Sequence, residues 1–212
     1  MKYKHIKAII FDLDGTLVHT LPEYICRVVG RTLLDFNTVA TENDMKRFWF
    51  EGDRDAIIRD IFHVELKDYW TKFHLYDDNQ ERVKYTRPYE DIRAVHELAK
   101  KFKLGIVTGA PTHIADLEIK LIGEHYFNSI VCAHEDNGYR IKPDPHGIIE
   151  CMKLLNVTSL EALYVGNADE DMEAARNAHI PGIHIDRHEH KYTGIEPKHR
   201  ITSLYELHDI VK

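Results

Sequence analysis

Four short stretches of this chain carry residues whose types and spacing can do chemistry. The first, Asp12-Leu13-Asp14-Gly15-Thr16, places two acids at i and i+2. Such a pair can hold a hard divalent cation through oxygen. One carboxylate can attack phosphorus and form an aspartyl phosphate, while the other protonates the leaving oxygen and later activates water. Gly15 allows the sharp turn that presents both acids and leaves backbone N–H groups for phosphate oxygens. The second stretch, Thr108-Gly109, offers a hydroxyl donor with an amide behind it. In the third, Lys142-Pro143-Asp144, Lys142 brings positive charge for an equatorial phosphoryl oxygen. The fourth runs Gly166-Asn167-Ala168-Asp169-Glu170-Asp171, where Asp171 with Asn167 can complete a metal shell. All the candidate ligands (Asp12, Asp14, Asn167, Asp171) are oxygen donors, so Mg2+ is the natural cation.

These stretches need elements that bring them together. Lys7–Phe11 is a nearly continuous apolar run ending in a polar turn, which predicts a buried central strand opening into a loop. Leu104–Thr108, Ser129–Ala133, Ala162–Val165 and Gly182–Ile185 read as four further strands. Helical spacing lies between them: Ala94, Val95, Leu98 and Phe102, then Ile114, Leu117, Leu121 and Ile122. Asp144-Pro145 reads as an N-cap with proline at the first helical position, ahead of Ile148, Ile149, Met152 and Leu155. The alternation predicts an α/β fold, a Rossmann-like parallel sheet of at least five strands with helices on both faces. In open parallel sheets, ligands bind at the carboxyl ends of the strands, where all four stretches fall.

Residues 18–85 break the rhythm. They are mostly helical in period, rich in aromatics (Phe48, Trp49, Phe50, Phe62, Tyr69, Trp70, Phe73) and without a clear strand. This is far longer than a βα loop of about 2–6 residues. It predicts an inserted all-helical domain at 18–85, with the core domain formed by 1–17 and 86–212. The aromatic stripe is expected to be that domain's own core.

The four stretches resemble the haloacid dehalogenase superfamily. Its first motif, hhhhDxDGT, is matched by Ala8 to Thr16. Its strand-end Thr or Ser is matched by Thr108, its KPDP lysine by Lys142-Pro143-Asp144-Pro145, and its GDxxxD by Gly166 to Asp171. The resemblance covers about two thirds of the chain, and the insertion sits where the first cap subclass of the family carries its helical cap. It implies a Mg2+-dependent phosphatase of the phosphoglycolate-phosphatase-like type, acting on a small phosphorylated metabolite. In that reading Asp12 is nucleophile and metal ligand. Asp14 is general acid/base with its carbonyl on the metal. Thr108 and Lys142 bind phosphate, with Gly15 and Gly109 beside them, and Asp171 belongs to the metal shell. Asn167 departs from the usual Asp, which removes a negative charge and predicts weaker Mg2+ binding without loss of activity; Asp169 could partly compensate. Asp14 favours phosphoryl chemistry over dehalogenation. A phosphomutase shares these residues, and a binding or regulatory protein without turnover is a third reading for which Asn167 is the hint.

The remaining features are weaker. The formal net charge is −7, which argues against nucleic acid or an anionic membrane as main partner. Cys26, Cys132 and Cys151 form no CxxC pair and read as reduced thiols. The apolar run behind the basic N-terminus is too short for a signal peptide or a membrane span, so a cytoplasmic protein is expected. His184, His188, His190 and His199 raise a second metal site. The charged segment Asp186 to Lys191 reads instead as a solvated loop. In Phe50-Glu51-Gly52-Asp53-Arg54, Arg54 could read a second anionic group of the substrate. His113 reads as a helix N-terminal residue, with lining of the pocket as the alternative.

Overall fold

The computed structural model describes residues 3–50, 54–189 and 192–212, except the side chain of Asn79. It divides into two compact units, one of Met1–His19 with Pro88–Lys212 and one of Thr20–Arg87.

The first unit is built on β1 (Ala8–Phe11). The chain then runs through β2 (Val18–Thr20), the helices of the second unit, and β3 (Thr86–Pro88), which pairs with β2. It continues as α6 (Arg93–Leu98), β4 (Lys103–Thr108), α7 (Thr112–Ile122) and β5 (Ser129–Cys132). There follow α8 (His146–Leu155), β6 (Ala162–Gly166), α9 (Asp169–Asn177), β7 (Gly182–Ile185), β8 (His199–Ile201) and α10 (Leu207–Ile210). The large sheet has the order β5-β4-β1-β6-β7-β8, and every pairing is parallel. β1 lies between β4 and β6, where the strand order reverses, so the carboxyl end of β1 is the expected ligand crevice.

Side chains alternate across this sheet. Ile9, Phe11, Leu104, Ile106, Leu163 and Val165 pack with α6, α7 and the C-terminal segment. Ala8, Ile10, Val107 and Tyr164 pack with α8 and α9. Both faces are therefore covered, which is why β1 and β6 are buried throughout.

The second unit contains α1 (Pro22–Leu34), α2 (Glu42–Phe50), α3 (Arg54–Ile57), a π-helical turn (Ile58–Phe62), α4 (Leu66–Tyr76) and α5 (Asn79–Tyr85). Phe48 is its hub, fully buried, with the rings of Phe62, Tyr69, Trp70 and Phe73 centred 5.2–5.8 Å away. The aromatic stripe is thus the unit's own core. Burying a ring of this size contributes about 1.5–3 kcal/mol.

The sheet has one strand beyond the five anticipated, β8, and the stretch from Val18 begins with a short strand rather than a helix. The start of α8 also differs: Pro145 is the N-cap, and Asp144 Oδ1 accepts from the His146 N–H (2.9 Å). Among the described residues no helix is long and apolar enough to cross a membrane.

Candidate active site

β1 delivers Asp12 to the edge of the sheet. Its N–H donates to Val165 O (2.9 Å), so the ladder to β6 extends one residue past the strand. The chain then turns tightly, with the N–H groups of Thr16, Leu17 and Val18 all directed at Leu13 O (3.3, 2.8 and 3.1 Å). Gly15 sits at φ +77°, and a Cβ there would lie 2.3 Å from Asn167 Nδ2, so a side chain is excluded both by backbone and by space. Thr16 Oγ1 donates to Asn167 Oδ1 (3.1 Å), which fastens the turn after β1 to the turn after β6.

Lys142 arrives from the loop after β5. Its Nζ donates to Asp12 Oδ1 and to Asp171 Oδ1, each at 2.6 Å, and lies 3.5 Å from the Tyr164 hydroxyl. These groups are nearly shut off from water: side-chain exposure is 10% for Lys142, 7% for Asp12 and 1% for Asp171. Burial disfavours the lysine's charge, but the two carboxylates outweigh it and hold Lys142 well above its ordinary value. Burial pushes the Asp12 carboxyl up to about 7, with Lys142 pulling it down and Asp171 adding to the rise. One ammonium therefore serves two carboxylates, and the cluster carries a net negative charge that suits a cation.

Asp171 is fully buried, and both its oxygens are engaged. Oδ1 accepts from Lys142 and Tyr164 (2.6 and 3.2 Å), and Oδ2 accepts from the N–H groups of Asn167 and Ala168 (3.1 and 3.0 Å). The bond from Ala168, the N-cap of α9, to Asp171, the third residue of that helix, is the side-chain half of a capping box. Asp171 packs so closely on Gly166 that a Cβ there would lie 2.4 Å from its Cγ. In this arrangement Asp171 anchors Lys142. Asp169 has its oxygens on the N–H and hydroxyl of Thr193 (3.1 and 2.7 Å). Among the described residues no group of three or more His, Cys, Asp or Glu side chains is arranged to hold a metal. The oxygens that could hold Mg2+ are those of Asp12, of the turn at Asp14 and of the Asn167 amide, on the two turns that Thr16 fastens together.

Thr108 ends β4, buried, and its Oγ1 accepts from Ala110 N–H (3.0 Å), so its own hydroxyl hydrogen can be donated elsewhere. A methyl added at Gly109 would meet no atom within 4 Å, so its backbone is open to approach. Arg54 belongs to the helical unit, where its Nη2 donates to Trp49 O (3.1 Å); Glu51, Gly52 and Asp53 lie outside the described residues. His113 is an exposed residue in the first turn of α7.

Other findings were not legible in the motifs. Tyr164, in the middle of an apolar run, places its hydroxyl between Val107 O (3.1 Å), Asp171 and Lys142. His184 is buried, with Nε2 3.0 Å from Asn167 O. His188 pairs with Asp186 and His199 stacks edge-on with Tyr3, so these histidines form no cluster; His190 lies outside the described residues. The solvated-loop reading of Asp186 to Lys191 fails at Arg187, whose side chain is 7% exposed. Its charge is matched by a buried partner, Asp91, which composition could not reveal.

The family profile for haloacid dehalogenase-like hydrolases matches residues 9–185. A pyrophosphatase, PpaX, of Listeria innocua is 32% identical over 82% of this chain and 80% of its own length. A phosphoglycolate phosphatase of Aquifex aeolicus is 25% identical over 82% and 81%. The crystal structure of a HAD-superfamily hydrolase, subfamily IA, from Geobacter sulfurreducens superposes with a TM-score of 0.71 at 20% identity, covering 97% of this chain and 96% of that one. The chain belongs to the haloacid dehalogenase-like hydrolase family.

Proposed function

We propose that the chain is a Mg2+-dependent phosphatase that hydrolyses a small phosphomonoester through an aspartyl phosphate on Asp12. The observation that carries this reading is the buried triad in which Lys142 Nζ lies 2.6 Å from both Asp12 Oδ1 and Asp171 Oδ1. A lysine so held pulls the nucleophile toward its ionised form, fixes its direction and presents charge to a phosphoryl oxygen. Relatives named as a pyrophosphatase and phosphoglycolate phosphatases support phosphoryl chemistry.

In this mechanism Asp12 attacks with Oδ2, since Oδ1 accepts from Lys142. Thr108 and the Gly109 amide bind equatorial oxygens. Asp14 gives a proton to the leaving oxygen and then takes one from the water that releases phosphate. When bound by Asp12, Asp14 and Asn167, Mg2+ would neutralise charge on the transferring group. We assign residues 18–85 the role of a cap that selects the substrate, with Arg54 as a candidate reader of a second anionic group.

Phosphate release from a panel of phosphomonoesters and pyrophosphate, with and without Mg2+, tests this against an Asp12→Asn variant. Mg2+-dependent release that the substitution abolishes is expected. An isomerised sugar phosphate without net release would mean a phosphomutase, and no turnover of any substrate would mean a binding protein.

A further inference from the structure

We infer that Arg187 is a positioning residue for Asp14: by holding the carbonyl of Thr16 it fixes the Asp14-Gly15-Thr16 turn, and with it the direction in which Asp14 delivers its proton. The inference rests on the reading of Asp14 as the general acid.

Arg187 lies two residues beyond the end of β7, on the same edge of the sheet as Asp12. Its guanidinium forks onto Asp91, with Nη1 to Oδ2 at 2.8 Å and Nη2 to Oδ1 at 3.0 Å. Nη2 also donates to Thr16 O at 2.6 Å, the shortest contact the group makes with its partners. Its Cζ lies 3.9 Å from the centre of the Tyr89 ring. Only a planar guanidinium satisfies a carboxylate with two donors, reaches a carbonyl and stacks on a ring at once; an ammonium cannot do all three.

The support is itself fixed. Asp91 Oδ2 accepts from the Leu204 N–H (2.8 Å), and the Tyr89 N–H donates to Leu17 O (3.1 Å). Thr16 is thereby held three ways: N–H to Leu13 O (3.3 Å), hydroxyl to Asn167 (3.1 Å) and carbonyl to Arg187. Asp14 is carried between Asp12 and this clamp.

In the transfer step a bond forms from Asp12 to phosphorus, the bond from phosphorus to the leaving oxygen breaks, and the proton of Asp14 passes to that oxygen. Misdirecting Asp14 therefore costs most where the leaving oxygen most needs a proton, and least where it departs as a stable anion. A merely structural staple would cost the same for every substrate.

The test compares kcat/KM of wild type, Arg187→Met and Arg187→Lys on dinitrophenyl, nitrophenyl, phenyl and alkyl phosphates. Arg187→Met is expected to lose about 100-fold on alkyl phosphates and under about threefold on dinitrophenyl phosphate, with Arg187→Lys between. An equal loss across the series, or none, overturns the inference. Hydrogen exchange gives a reading independent of turnover: the amides of Leu17 and Val18 should exchange at least about tenfold faster in either variant while those of β1 and β6 do not change. Should Arg187→Met fail to fold, Arg187→Lys carries both measurements. A wild type that hydrolyses none of the esters refutes the phosphatase reading, and unchanged exchange at Leu17 and Val18 then refutes the clamp separately.

Discussion

Replacing Lys142 by methionine removes the one cation between two buried carboxylates. Asp12 already sits at about 7 with Lys142 pulling it down, which leaves it roughly 90% ionised at pH 8. Losing an opposite charge in contact raises a carboxyl by about 2 units, which leaves roughly 10% ionised. The ionised nucleophile falls about tenfold, and loss of positive charge at the transferring group costs about 100-fold more. The metal-free estimate is therefore about 1,000-fold in kcat/KM, close to 4 kcal/mol. A cation on Asp12 keeps it ionised and moves the loss toward about 100-fold. Stability follows the same charges. Removing one partner of a buried ion pair costs about 3–5 kcal/mol. Because Asp12 in the variant titrates far above its unfolded value of about 3.9, the destabilisation grows with pH. Steady-state kinetics on a turned-over ester and melting at pH 6 and pH 8 check both parts. A kcat/KM within about threefold of wild type, or a Tm deficit larger at pH 6 than at pH 8, would refute the reasoning.

Three further perturbations follow from the same contacts. Gly15→Ala pushes a methyl into the Asn167 amide at a positive φ, so activity should fall at least about 100-fold while the fold persists by circular dichroism. Asn167→Asp restores a negative charge beside the proposed cation site, and calorimetric Mg2+ titration should show about tenfold tighter binding than wild type; weaker binding would contradict the assignment of Asn167. Burial opposes the Asp91 carboxylate, but bonds from Arg187 and the Leu204 N–H outweigh it and hold its carboxyl below the ordinary value. Its stabilisation is thus present above about pH 4 and lost as pH falls through the lower folded value. The Tm gap between wild type and Asp91→Asn should therefore be widest near neutrality and close in acid.

What was legible in the sequence is what one segment can encode alone. β1 and β6 are covered on both faces, so they appear as unbroken apolar runs, and the turns after them carry the acids in fixed order. The aromatic residues of the insertion pack on one another, and so betray a separate core. β8 is three residues, His-Arg-Ile, at the edge of the sheet, too short and polar to show a period. Tyr164 fits an apolar strand, and its hydroxyl acquires a role only because Lys142 is brought to it from 22 positions away. Arg187 looked like one charge in a solvated run, because its match, Asp91, is 96 residues distant. Contacts of that separation exist only once the sheet has formed.

The central claim, that phosphoryl transfer passes through Asp12, is tested most directly by the stereochemical course at phosphorus. With a thiophosphate monoester made chiral by sulfur and two oxygen isotopes and hydrolysed in water carrying the third isotope, two successive in-line displacements, first by Asp12 and then by water, predict retention of configuration. Inversion would mean that water attacks the substrate directly, and would contradict the account.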